Sequence, residues 1–448
     1  MARILQQELF SWQEVNELGD LERLKLVIDH LPDEELMEHL EWERGNGRDD
    51  YPVRAVWNSM LAGVVYEHDS VASLCRELLR NAQLRQLCGF DVAKGDGAVP
   101  PAWVYTRFMG TLMAHQELID GIFERLVDSL GELLPEFGRH LGADSKPIWS
   151  HARRRGQGER DGRRELDADW GMKTYRGERA DGTLWEKVMK WFGYKLHVLT
   201  DVRYELPVGY RVTRASRNDT TQLLPMVEEL GSRHGWLVER AETLAADKAY
   251  DSWEHNVLLW DGYRIKPVIA IRQMWKDGEQ TRPLYPDRVD TIVYDAGGRV
   301  YCYCPVTGVR RELCHCGFEQ ARGCLKYRCP AAAYGLECAG REECGGGGYG
   351  SYGRIVRVPL EIDRRLFTPV ARSSYRWERL YRGRTACEHV NSRLDVSFGF
   401  EDHFIRGLAK MRLRSSIALI VMLGMALGRV RQKQEEYIRS LVRSPAAA

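Results

Sequence analysis

The sequence lacks a long apolar run, and its net charge is only +1. Its longest apolar stretch, Ile417 to Leu427, is too short to cross a bilayer and follows Arg412 and Arg414, so a buried helix is expected there and no membrane segment. Met1 to Trp12 leads at once into a Glu- and Asp-laden stretch rather than the basic, apolar and small-residue order of an export signal, and export is not expected. Cysteine is sparse over most of the chain: of 11, eight fall between Cys302 and Cys344, leaving Cys75, Cys88 and Cys387 as ordinary buried thiols. Without a secretory signal, a reducing compartment favours metal over disulfides for the clustered eight.

The near-zero charge conceals an asymmetry. Residues 1–140 hold 25 acids against 13 bases, whereas residues 351–448 hold 19 bases against 9 acids. An Arg excess of that kind suits counterion release from a polyanion, most commonly nucleic acid, although a solvated surface has the same composition.

At 448 residues, two or three domains are expected. Apolar residues three and four apart, as in Val56, Met60 and Val64 or Leu118, Ile122 and Leu126, make 1–137 an all-helical domain. Val71 to Phe90 and Trp103 to Met113 have the form of a DNA-docking helix pair or of a plain bundle. From 138 to 271 the texture becomes α/β. A short strand ends at Asp144, and alternation marks strands at Phe192–Val198 and Leu206–Val212. A helix covers Thr220 to Leu230, and further strands are expected at Thr243–Asp247 and Arg264–Ile271. Residues 272–350 form a Cys- and Gly-rich insertion, and 351–448 resume the core as helices. Tyr375 to Val396 reads as one helix with an apolar stripe (Leu380, Cys387, Val390, Leu394) and a polar one (Tyr381, Arg384, Glu388, Asn391, Asp395).

Three carboxylates stand in contexts suited to phosphodiester chemistry. Asp144 follows Gly142 and Ala143, Asp247 follows Ala245 and Ala246, and Glu388 lies one helical turn beyond Arg384, whose fork suits phosphate. Activating water or a 3′-hydroxyl and stabilising the leaving oxygen is the work of two Mg²⁺ ions about 4 Å apart, held by hard oxygen ligands.

Asp-Ser-Lys-Pro-Ile at 144–148, Ala-Asp-Lys-Ala-Tyr-Asp-Ser at 246–252 and the Tyr381, Arg384, Glu388 helix signature resemble bacterial insertion-sequence transposases of the DDE superfamily. Tyr51 to Met113, with Tyr51-Pro52, Leu87-Cys88-Gly89-Phe90 and Thr106-Arg107-Phe108, is similar to the helical N-terminal domain of these proteins. The resemblance implies a ribonuclease-H-like mixed-sheet core and catalysis by Asp144, Asp247 and Glu388 on two Mg²⁺ ions, with Mn²⁺ as a substitute. It implies cleavage and strand transfer on double-stranded DNA at terminal inverted repeats and target. A homodimer on DNA and a cytoplasmic, nucleoid-associated place in a bacterium follow from it. Expected DNA contacts are Tyr381 and Arg384, with Arg153 and Arg154 in a charged loop that is equally well simply solvated. The family signature continues to a Lys seven residues after the Glu; this chain has Asp395 there, and Arg393 is the candidate substitute. The rival reading is a non-catalytic DNA-binding protein derived from a transposase.

The insertion's cysteines have the composition of structural zinc sites. Cys302, Cys304, Cys314 and Cys316 could form one, and Cys324, Cys329, Cys338 and Cys344 a second, with free or redox-active thiols as the alternative.

Overall fold

The structure, a computed structural model, describes residues 18–46, 50–152, 165–179, 181–287, 289–344 and 350–442. Its first 133 residues are helical where described: α1 (Glu22–Ile28), α2 (Glu34–Arg44), α3 (Val53–Val65), α4 (Val71–Arg80), α5 (Ala82–Cys88), α6 (Ala102–Ala114) and α7 (Gln116–Leu133). Capping sets several of the boundaries. Ser70 Oγ accepts the Ser73 N–H at the start of α4, and Asn81 Oδ1 accepts the Leu84 N–H at the start of α5, which ends in left-handed Gly89.

The α/β part begins with β1 (His140–Trp149), β2 (Asp169–Glu178), β3 (Leu184–Asp201) and β4 (Leu206–Arg214). Helices α8 (Thr220–Arg233) and α9 (Gly235–Arg240) lead to β5 (Thr243–Ala246), and α10 (Trp253–Val257) leads to β6 (Lys266–Ile269). The second half of β3 lies between β4 and β1, antiparallel to both, and β1, β5 and β6 then run parallel. The order β4-β3-β1-β5-β6 is that of a ribonuclease-H-like mixed sheet, as the family resemblance implied. The first half of β3 pairs with β2 instead, forming a two-stranded arm that the sequence reading did not contain.

Between β6 and the C-terminal helices stands a second lobe with its own core, including Ile292, Val300, Tyr327, Val358 and Phe367. One sheet comprises β7 (Thr281–Pro283), β8 (Ile292–Asp295), β9 (Val300–Tyr303) and β10 (Arg310–Glu312). The other comprises β11 (Cys314–Glu319), β12 (Cys324–Arg328) and β13 (Ile355–Pro359), with α11 (Pro330–Tyr334) after β12. Because β13 pairs with β12 along its whole length, the lobe runs beyond residue 350, where the sequence texture placed its end.

The chain closes with α12 (Tyr375–Arg382), α13 (Thr385–Phe398) and α14 (Leu408–Arg431). Helix α14 is long and apolar enough to cross a membrane, and 94% of its most apolar window is buried. It packs against α1, α7 and β4, joining the N-terminal helices and the sheet in one core. Tyr210 of β4 fixes this junction: its hydroxyl lies 2.6 Å from Asp120 on α7 and 2.7 Å from Ser416 on α14.

Candidate active site

Two parallel strands bring carboxylates to the same end of the sheet. β1 and β5 pair with Ala143 opposite Ala246, so the next residue on each, Asp144 and Asp247, occupies a neighbouring position. The strands then part. The chain after Asp247 enters a tight turn at Lys248–Tyr250, where the Asp247 carboxylate accepts the Ala249 N–H at 2.7 Å. β1 does not end at Asp144, as the sequence reading had it, but continues to Trp149 against β3 with Ser145, Lys146 and Ile148 buried.

Asp144 carries an electrostatic load. Burial raises its carboxyl from 3.8 to about 6; Lys173 on β2, the Ser145 N–H and Arg384 pull the other way, and repulsion from Asp247 adds to the rise. Asn391 Nδ2 makes a long contact of 3.5 Å with its Oδ2. Behind the two aspartates Tyr250 is fully buried, which with their negative charge pushes its phenol far up.

The third acid arrives on α13, which docks against β1 at Gly142. A Cβ there would stand 2.7 Å from Cys387 Sγ and 3.9 Å from the Arg384 Cα, so strand and helix can approach this closely only at glycine. The single helix expected over Tyr375–Val396 is broken at Gly383 and Arg384. Their N–H groups bond three residues back, to Leu380 and Tyr381, and the signature residues straddle the break. Glu388 is half exposed and pairs with Arg384 at 2.5 Å. Arg384 is also within electrostatic reach of Asp144, so one guanidinium pairs with the third acid and favours ionisation of the first.

The other expected contacts fall in several places. Tyr381 stacks on Trp377 at 4.8 Å on α12, where Arg376, Arg379 and Arg382 are exposed. Arg393 turns toward Glu205, bonding its carbonyl, with only 12% of its side chain exposed. Arg153 and Arg154 lie outside the described residues. Asp395 accepts a 2.5 Å bond from the buried Lys146, which also reaches Glu401 at 2.8 Å. Asp251 pairs with Arg365 and accepts the Arg272 N–H at 2.8 Å, away from the neighbouring acids. His197 is buried against Thr213 at 3.0 Å, a packing position. Lys173 escaped the sequence reading, since nothing local connects it with a carboxylate 29 positions earlier. Lys146 had a signal: it lies two residues after Asp144, on the same strand face.

The oxygen donors fit a hard divalent cation. Two carboxylates at adjacent strand ends, one of them buried and repelled by the other, form a pair that a Mg²⁺- or Mn²⁺-like ion would relieve.

Residues 150–423 match the family model described as a transposase DDE domain, and residues 9–109 match a transposase domain model. The chain belongs to the DDE transposase family. In that family divalent metal ions are generally used. The match includes Asp247 and Glu388 and begins just after Asp144. A Burkholderia cepacia protein provisionally named as the transposase for insertion sequence element IS402 is 39% identical over 85 residues. That alignment covers 18% of this chain and 39% of the relative's length.

In the second lobe the fold groups the cysteines differently from their order in the chain. Cys302, Cys304, Cys329, Cys338 and Cys344 line one small cavity. Cys314, Cys316 and Cys324 do not line it; Cys316 is exposed, and Cys324 lies against Glu319.

Proposed function

We propose that this chain is a catalytically competent DNA transposase that cleaves double-stranded DNA at the inverted repeats of an insertion sequence and joins the ends to a target. The observation that carries this reading is the register of β1 and β5, which sets Asp144 beside Asp247 while Gly142 admits the helix bearing Glu388. Asp144, Asp247 and Glu388 would hold the metal. Bound Mg²⁺, or Mn²⁺ in its place, supplies Lewis-acid activation of the attacking hydroxyl and stabilises the leaving oxygen. Asn391 orients Asp144, and Lys173 offsets part of the local negative charge. Arg384, paired with Glu388 and within electrostatic reach of Asp144, would grip two oxygens of the scissile phosphate. The exposed Arg376, Arg379 and Arg382 extend a basic surface from there along α12, suited to the DNA backbone of each end in a dimeric complex.

The test is cleavage of end-containing duplex with Mg²⁺ by Asp144→Asn, Asp247→Asn and Glu388→Gln, with gel-shift binding in parallel. Each variant should lose cleavage and keep binding, because a ligand charge is removed with little change of shape. Cleavage at the unaltered rate would remove that residue from the site. Binding without cleavage by the unaltered protein, over the full range of ends and metals, would favour the non-catalytic reading.

A further inference from the structure

The second lobe contains a site that phosphoryl transfer does not require. Where its two sheets meet lies a small cavity of about 30 Å³, and five cysteines line it. They come from three separate stretches. Cys302 and Cys304, two residues apart, share a face of β9 and its extension; Cys329 follows β12; Cys338 and Cys344 sit on the loop 336–344. All five are free thiols.

Two observations bind these stretches into one device. Cys302 is in electrostatic reach of Cys329, Cys338 and Cys344 at once. The loop is laid directly on the Cys304 turn: a Cβ at Gly340 would stand 2.5 Å from Pro305 Cδ and 3.0 Å from Cys304 Sγ. The Cys304 sulfur accepts hydrogen bonds from the Thr307 hydroxyl and from the N–H groups of Thr307, Val306 and Gly340. Several amide donors converging on one sulfur favour a thiolate, the form that binds metal.

We propose that this cavity is a structural zinc site in which Cys329, Cys338 and Cys344 supply three thiolates and the Cys302–Cys304 pair supplies the fourth. Four thiolates close the coordination sphere, so the ion has no position for substrate and acts as a staple. It joins the sheet containing β9 to the sheet containing β12, two layers that otherwise meet over a small core. Among the described residues the five sulfurs are not gathered within one ion's reach, so binding would draw the 336–344 loop inward. The exposed Cys316 and its neighbour Cys314 stand outside the site. The proposal is independent of the transposition reading and would stand if that reading failed.

The experiment is elemental analysis of the full chain, purified under reducing conditions and freed of loose metal. One zinc per chain is expected. Cys329→Ser, Cys338→Ser and Cys344→Ser should each lose it, as should at least one of Cys302→Ser and Cys304→Ser, while Cys314→Ser and Cys316→Ser retain it. To separate loss of metal from loss of fold, cobalt(II) exchange into the unaltered protein gives a second readout. It should show the thiolate charge-transfer and tetrahedral ligand-field bands of a four-sulfur site. A folded metal-free chain, two zinc ions, iron, disulfides among the five, retention in Cys338→Ser or Cys344→Ser, or loss in Cys316→Ser would each overturn the proposal.

Discussion

Removing the first acid should stabilise the metal-free protein while destroying its activity. Burial lifts the Asp144 carboxyl from 3.8 to about 6. The folded chain therefore binds that proton more tightly than the unfolded chain, and stability falls as pH rises from about 4 to about 6. A shift of about two pH units corresponds to about 3 kcal/mol, the upper limit of what the ionised carboxylate costs the fold above pH 6. Asp144→Asn removes the charge, and its amide oxygen can still accept from Asn391. In chelator, the variant should exceed the unaltered protein by about 1–3 kcal/mol at pH 7.5, with the gap closing toward pH 4. Asp201 is also raised to about 6 by burial, but it titrates in both proteins and cancels in the difference. Urea unfolding across this pH range measures the gap. Adding Mg²⁺ should reverse the order, since the cation stabilises only a chain that can bind it. Asp144→Asn equal or inferior in stability at pH 7.5, or a gap that does not change with pH, would refute the claim that this carboxylate is held at a cost to the fold.

Two further substitutions probe the surroundings. Arg384→Lys should slow cleavage at least about tenfold, or about 1.4 kcal/mol in the barrier, because one ammonium cannot reproduce a two-oxygen grip. Its melting temperature should hardly move, since the half-exposed pair with Glu388 is worth only a few tenths of a kcal/mol; activity falling only in step with melting temperature would assign Arg384 to the scaffold. Lys146→Met leaves the Asp395 and Glu401 carboxylates without their shared cation and should cost about 1–3 kcal/mol of stability, discounted from the fully buried case because both acids are partly exposed. Adding Asp395→Asn should recover part of that loss in denaturant unfolding, and no recovery would mean that the lysine acts through its packing alone.

What could be read from the sequence was whatever local pattern determines. The alternation of Phe192, Tyr194, Leu196 and Val198 marks β3 because one face of that strand meets the core, and the small residues before Asp247 mark a strand packed on both sides. β2 carries no such pattern; it is a strand because β3 extends far enough to pair with it, a long-range fact. The break at Gly383 was hidden because the apolar stripe keeps its phase across it. The cysteines are a related case: spacing along the chain joins Cys302 to Cys314, whereas the packing of the two sheets and the 336–344 loop place Cys302 on one cavity with Cys329, Cys338 and Cys344.

The departure from the family signature at Asp395 acquires a physical reading from its partner. A Lys at that helix position could reach outward to DNA; Asp395 instead receives Lys146 from β1, and Lys146 is buried, so the charge pair faces inward. Arg393, the candidate substitute, is also turned inward, toward Glu205. The positive charge here therefore locks two elements together rather than presenting itself to a phosphate. Lys146 is two residues from Asp144 on one strand, and Asp395 is two helical turns from Glu388 on α13. A bond between them sets the strand of the first acid against the helix of the third. Gly142 makes the same junction by close approach near the other end of the contact. With two fixed points along one interface, α13 can neither slide nor rotate on β1 without breaking a charge pair or a tight packing contact. That constraint is what a half-exposed Glu388 needs if it is to meet metal ligands carried on separate strands.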